Sequence, residues 1–231
     1  MDQETIKFKD GAVYTGNVQH NRMHGEGVLQ YANGDEYRGS FYNGKRHGRG
    51  NILFANGDTY CGDFHEDAMN GVGIYTWSNG ESYEGEYQDN QRTGQGKYIW
   101  PNNDVYEGTF NLGHFHGTGK FQSSEGEVYE GEFVDDLYHG KGKLVLSTGE
   151  TYDGEFSQNM YSGHGELVLS GGEKYTGYFS NDKYNGQGTY YWPDGRKFEG
   201  TFKNGEPHET GKMTFPNGES IDYQHRVETN S

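Results

Sequence analysis

The chain has 231 residues and a formal net charge of -16, with 19 Lys and Arg against 35 Asp and Glu, a balance that excludes a nucleic-acid binder reliant on a positive field. Only 30% of the residues are hydrophobic, yet 39 are glycine, 20 tyrosine and 13 phenylalanine, so the apolar surface resides in rings. Disordered chains are poor in aromatics, and ordered structure without a deep central core is expected instead. The single cysteine, Cys61, excludes an intramolecular disulfide, and no apolar run resembles a signal peptide or a membrane span. The expected setting is cytoplasmic.

Read from the N-terminus, the chain is one repeat. Tyrosine recurs every 23 residues at Tyr14, Tyr37, Tyr60, Tyr83, Tyr106, Tyr129, Tyr152 and Tyr175, and Phe198 takes the ninth place. Glycine follows each by two residues and, except at Val18, a ring follows by four, so that Tyr-x-Gly-x-Phe lies on one face of a strand. A Gly-x-Gly follows in each unit, from Gly25 and Gly27 to Gly186 and Gly188; in the ninth, Glu209 stands in the first place and Gly211 in the second. Period two in both halves predicts a hairpin per unit, with rings lying over the bare backbone of paired glycines. Short connectors such as "ANGD", "SNGE" and "PNGE" predict tight turns and antiparallel neighbours.

Residues 1–13 read as half a unit that caps the first hairpin, because Ile6 and Phe8 occupy the places of Leu29 and Tyr31. Nine repeats fill 14–220. Residues 221–231 form a C-terminal cap and tail, where Ile221 stands at the tyrosine position and Tyr223 at the glycine position.

The stretch "YNGKRHGRG" at 42–50 suggests a phosphate loop or a basic tail. The same slot elsewhere reads "EDAMNGVG" and "DDLYHGKG", so the glycines recur and the charge does not, which makes the stretch a turn entering a strand. His24, His47, His116, His139 and His208 all precede the Gly-x-Gly slot. At about 10 Å between units they are too far apart to share a metal, and no metal site or cofactor is expected. Carboxylates such as Glu84, Glu86, Glu130 and Glu132 form a ladder rather than converging, and Lys97, Lys120, Lys141 and Lys143 on second strands offer cross-strand pairs. No catalytic residues are assigned and no enzymatic activity is expected.

The units, among them "YRGSFYNGKRHGRGNILF" at 37–54 and "YEGEYQDNQRTGQGKYIW" at 83–100, resemble the MORN (membrane occupation and recognition nexus) repeat. The resemblance implies an all-β protein, an elongated single-layer twisted antiparallel sheet of consecutive β-hairpins. Nine units at about 9 to 10 Å each would span on the order of 85 Å. It also implies a non-enzymatic scaffold or adaptor that binds partner proteins along an extended groove, in a cytoskeletal or ciliary (axonemal) setting. The alternative is a peripheral module for anionic phospholipids. For that alternative Lys45, Arg46 and Arg49 are the candidate contacts, although a chain at -16 is repelled by an anionic leaflet and weak membrane association is expected. Unpaired terminal strands make an end-to-end homodimer conceivable.

One column departs from the family pattern. Two residues before the first glycine of Gly-x-Gly, where Arg46 and Arg92 stand in earlier units, units five to eight carry Phe115, Tyr138, Tyr161 and Tyr184. These rings either pack on their own hairpins or form a stripe that anchors a partner helix or extended segment, with Asp135 and Asp136 nearby to select a basic one.

Overall fold

The computed structural model describes residues 3–224 and contains no helix among them. The chain divides into two compact units, residues 1–115 and 116–231. The first holds β1 (Glu4–Lys7), β2 (Val13–Gln19), β3 (Arg22–Gln30), β4 (Glu36–Tyr42), β5 (Lys45–Leu53), β6 (Thr59–His65), β7 (Ala68–Thr76), β8 (Ser82–Gln88), β9 (Gln91–Ile99) and β10 (Val105–Asn111). β11 (His114–Gln122) begins at its end. The second continues with β12 (Val128–Val134), β13 (Leu137–Val145), β14 (Thr151–Ser157), β15 (Met160–Val168), β16 (Lys174–Ser180), β17 (Lys183–Tyr191), β18 (Lys197–Lys203), β19 (Glu206–Thr214) and β20 (Ser220–Gln224). Within each unit every strand pairs antiparallel with the next in the chain, which gives the open all-β sheet of consecutive hairpins that the period-two pattern predicts.

At the N-terminus β1 pairs with β2 and sets Ile6 opposite Tyr14, as Leu29 is set opposite Tyr37 one repeat later. At the other end β20 pairs with β19, with Ile221 opposite Met213, and the Tyr223 ring meets Phe198 edge-on at 5.5 Å. Residues 225–231 of the predicted tail lie outside the described residues.

Two kinds of turn alternate. Within a repeat the hairpin closes through two residues at positive φ, such as Asp135 at 48° and Asp136 at 69°, the backbone that matches strand twist in a two-residue loop. Between repeats the chain crosses through a five-residue loop, as where Trp77 N–H donates to the Glu81 carbonyl at 2.9 Å and Gly80 N–H to the Trp77 carbonyl at 3.0 Å.

Each hairpin also carries a bulge. In β12–β13 Gly131 faces Gly142 but Glu132 faces His139, so Gly140 and Lys141 have no partner on β12. Gly140 takes φ 55° there, in the left-handed region where glycine is favoured. The bulge frees one carbonyl and one amide from the ladder, and side chains of the same repeat occupy both. Tyr129 Oη donates to the Glu132 carbonyl at 2.8 Å, and the Glu132 carboxylate accepts from Lys141 N–H at 2.9 Å. The hydroxyl bond recurs for all eight repeat tyrosines, at 2.6 to 3.1 Å. The carboxylate bond recurs at Asp63, Glu86 and Glu155.

To reach that carbonyl the tyrosine ring lies flat over the glycine pair. A Cβ added at Gly142 would sit 2.5 Å from Tyr129 Oη, closer than any side chain tolerates. The ring then meets Phe133 edge-on at 5.1 Å and Phe156 of the next repeat at 5.1 Å, and this zigzag repeats along each unit. Tyrosines 14, 37, 83, 106, 129, 152 and 175 are wholly inaccessible, and Tyr60 is nearly so. The core is thus one ring deep.

Two predictions follow from this core. Phe198 lacks the hydroxyl that its eight counterparts donate, so Phe198→Tyr is expected to stabilise the chain and Tyr129→Phe to destabilise it, each by about 1 kcal/mol in chemical unfolding. Opposite signs for the two swaps are the check. Burial also raises the pKa of Tyr83, Tyr129 and Tyr175 from 10.0 to about 12. The neutral phenol is therefore favoured in the fold, and the stability it contributes is complete below pH 10 and lost as pH rises towards 12. Phenolate absorbance of these rings is expected to appear together with loss of the strand circular-dichroism signal, and ionisation ahead of unfolding would contradict it.

Candidate functional site

Six of the repeat tyrosines bear a lid from the column that departs from the family pattern. Tyr138 stacks on Tyr129 at 3.7 Å and 8°, Tyr161 on Tyr152 at 3.8 Å and 10°, and Tyr184 on Tyr175 at 3.9 Å and 18°. In the first unit Phe115 stacks on Tyr106 at 3.9 Å, while the Arg92 guanidinium lies 5.7 Å from the centre of Tyr83 and that of Arg46 lies 5.8 Å from Tyr37. Arginine and aromatic residues thus fill one slot, because both present a flat group to a ring. Each tyrosine lid is boxed by two phenylalanines, as Tyr161 is by Phe156 at 5.7 Å and Phe179 at 5.9 Å. One face of each candidate ring is committed to its own hairpin, and the ring as a whole is half-buried.

The next hairpin tip clamps the lid's backbone. Asn159 donates its N–H to the Tyr138 carbonyl at 3.0 Å and accepts from Tyr138 N–H on Oδ1 at 2.7 Å, and Asp182 does the same for Tyr161. Asp136 occupies the equivalent tip position, at positive φ. Asp135, beside it, is exposed and lies 3.7 Å from His116 Nδ1. These acids belong to hairpin geometry first.

The basic stretch is paired residue by residue with the following hairpin. Lys45 meets Glu66 at 3.1 Å, Arg46 meets Asp67 at 3.3 Å and Arg49 meets Asp63 at 3.3 Å. Arg46 is also mostly covered by its rings, with 19% of its side chain exposed, whereas Lys45 and Arg49 stay exposed beside their acids.

The opposite face of the sheet carries the side chains between the rings. In the second unit it alternates charge across strands, with Glu130 opposite both Lys120 and Lys143, and Lys143 opposite Asp153. A hollow there of about 480 Å³ is lined by Lys141, Asp153, Glu155, His164 and Glu166. In the first unit the lysine column reads Val28, Asn51 and Ile74 before Lys97. A larger cleft, about 760 Å³, opens there among Val28, Arg38, Asn51, Cys61, Val72 and Ile74. Val72 and Ile74, two residues apart on β7, are 52% and 44% exposed and line this cleft together with Val28, so the apolar surface here is contiguous rather than scattered. Cys61 lies exposed between Asn51 and Ile74.

This apolar patch escaped the sequence reading, which took the open face as a uniform acid and lysine ladder. The signal lay in one column of the repeat, where aliphatic residues precede lysines.

The comparisons with known proteins accord with this architecture. The MORN repeat pattern matches nine consecutive segments, residues 14–36, 37–59, 60–82, 83–105, 106–128, 129–151, 152–174, 175–195 and 198–220. No curated protein matches the chain. Among solved structures, the TCP10 domain of Danio rerio CPAP aligns over 96% of this chain and 100% of its own, at 12% identity and a TM-score of 0.44. The Drosophila melanogaster SAS-4 (dCPAP) TCP domain, solved with a proline-rich motif of Ana2, aligns over 77% of this chain and 90% of its own, at 13% identity and a TM-score of 0.42. Likeness at that level carries no functional argument. The nine matched segments, each with its ring over paired glycines, do: the chain belongs to the MORN-repeat family.

Proposed function

We propose that this chain is a non-enzymatic scaffold that binds a protein partner, and that the partner docks on the open face of the first unit. The observation that carries this reading is the exposure of Val72 and Ile74 in the cleft of about 760 Å³. The occupant is a helical or extended segment that brings apolar side chains to Val28, Val72 and Ile74 and basic ones to Glu26 and Glu84 at the rim. The net charge of -16 favours the same basic partner and speeds its encounter. Carboxylates such as Glu86, Glu132 and Glu155 serve bulges on separate repeats, which supports a non-catalytic role. The setting is cytoplasmic, on a cytoskeletal or ciliary assembly, as the family resemblance implies. The outer edges of β1 and β20 have no partner strand among the described residues, and a second copy could pair there.

The ion pairs of Lys45, Arg46 and Arg49 weigh against anionic lipid as the ligand. Flotation with phosphatidylserine and phosphoinositide vesicles at physiological salt is expected to leave the protein unbound. Saturable capture lost on Lys45→Glu with Arg46→Glu would favour the membrane instead.

The docking surface is tested with substitutions drawn from its own columns. Ile74→Lys copies Lys97 and Val72→Gln copies Gln95, so the pair is expected to change stability by less than about 0.5 kcal/mol. Partners captured from the native source by the unaltered chain, identified and then titrated, should lose roughly tenfold or more in affinity for this variant. Tyr138→Ser with Tyr161→Ser should lower stability by about 2 kcal/mol or more, because the rings they cover lose their stacking partners. Unchanged affinity for the cleft variant, with capture lost and melting intact in the tyrosine variant, would move the site to the lids.

A further inference from the structure

We propose that His47 and His65 form a chelating site for a divalent late first-row transition-metal ion, copper(II) above the others. His47 lies on β5 and His65 ends β6, two strands that pair antiparallel with Gly48 opposite Phe64. The ladder ends at that pair, and one residue beyond it on each strand His47 and His65 come side by side, their rings in contact. Sequence spacing hid this. Histidines of one column are separated by a whole repeat, whereas these two come from different columns that the sheet sets on adjacent strands.

The imidazole rings stand with centroids 5.1 Å apart and planes inclined at 53°. Two imidazoles bound through nitrogens about 2.1 Å from one metal hold their centroids roughly 4.7 to 5.4 Å apart for N–metal–N angles between square and tetrahedral. The observed separation falls inside that range, so the two rings stand within chelating reach, and rotation about their side-chain torsions is what brings a nitrogen of each to a shared ion.

The arrangement is peculiar to this repeat. Position 47 aligns with His24, Asn70, Thr93, His116, His139, Ser162, Asn185 and His208, and position 65 with Tyr42, Gln88, Asn111, Val134, Ser157, Ser180, Lys203 and Arg226. Only the His47 and His65 pair has imidazole on both sides. His24 faces Tyr42 at 5.3 Å in the same geometry, with a phenol in place of the second ligand.

A carboxylate also stands close by. Glu66, next to His65 in the chain, pairs with Lys45 at 3.1 Å. No third His, Cys, Asp or Glu completes a ligand set among the described residues. Water therefore fills the remaining positions, and the site is of moderate affinity. Imidazole donors suit copper, nickel and zinc, and the affinity order for divalent ions places copper(II) first.

The test is a calorimetric titration of the whole chain with copper(II), and separately nickel(II), using glycine as a competing weak chelator, together with electron paramagnetic resonance of the copper-loaded protein. One saturable site per chain is expected, with two nitrogen donors in the copper spectrum. His47→Asn and His65→Asn should each weaken it on the order of a hundredfold, because one ligand of a chelate is lost. Asparagine already stands at Asn70, Asn185 and Asn111 in these columns, so both variants should keep the wild-type strand spectrum. His139→Asn, in the same column but with Ser157 opposite, should bind as the unaltered chain does. Equal affinity in either single variant, or no saturable binding beyond that of the double variant, would overturn the proposal.

Discussion

The structure depends on one contact, a tyrosine ring laid across a pair of glycines so that its hydroxyl reaches a carbonyl three residues on. That carbonyl is free because the hairpin bulges, and the bulge fits because its glycine adopts a left-handed backbone. Each element requires the others. A Cβ on either paired glycine would displace the ring, and without the bulge the hydroxyl would have no acceptor. A single-layer sheet has no second layer to bury its apolar face, and here the rings supply that layer themselves, standing edge-on to the phenylalanines on either side.

The rest of the side-chain chemistry is arranged around this unit. The carboxylate three residues after the tyrosine answers the amide freed by the bulge, so part of the acidic ladder is a set of backbone caps rather than a docking surface. The lid column closes the outer side of the tyrosine, with arginine in some repeats and a ring in others. The next hairpin tip then ties the lid backbone down. Because the first two links lie within one repeat while the tip contact and the edge-on rings join it to the next, stability within a unit accumulates from single-repeat and nearest-neighbour terms, as in other repeat architectures.

Against so regular a frame, irregularities become informative. The ring face is nearly invariant in role from repeat to repeat, whereas the open face changes from Val28, Asn51 and Ile74 to Lys97, and keeps an acid and lysine alternation in the second unit. Apolar side chains left in water on the one face that the fold does not need are free for recognition. The same logic singles out His47 and His65, since neither is required by the repeat and their columns elsewhere vary, with residues as different as His, Asn and Thr in one and Tyr, Gln, Val and Lys in the other.

The sequence by itself determined the architecture, because a strict 23-residue period combined with period two inside each repeat admits only a succession of hairpins with tyrosine, glycine and phenylalanine on one face. It also showed where the array departs from its own rule, at Phe198, Glu209 and Tyr223. What only the tertiary structure decided were the meetings across strands. That Tyr138 and Tyr161 stack on Tyr129 and Tyr152 depends on the register shift at the bulge, which no linear spacing records. That Arg46 and Arg49 are paired with Asp67 and Asp63 depends on which acid of the next hairpin lies beside them. Period and composition report which face a side chain takes; register decides which neighbour it meets there, and in a sheet of repeats that choice separates a ring that holds the fold from one that is free to bind.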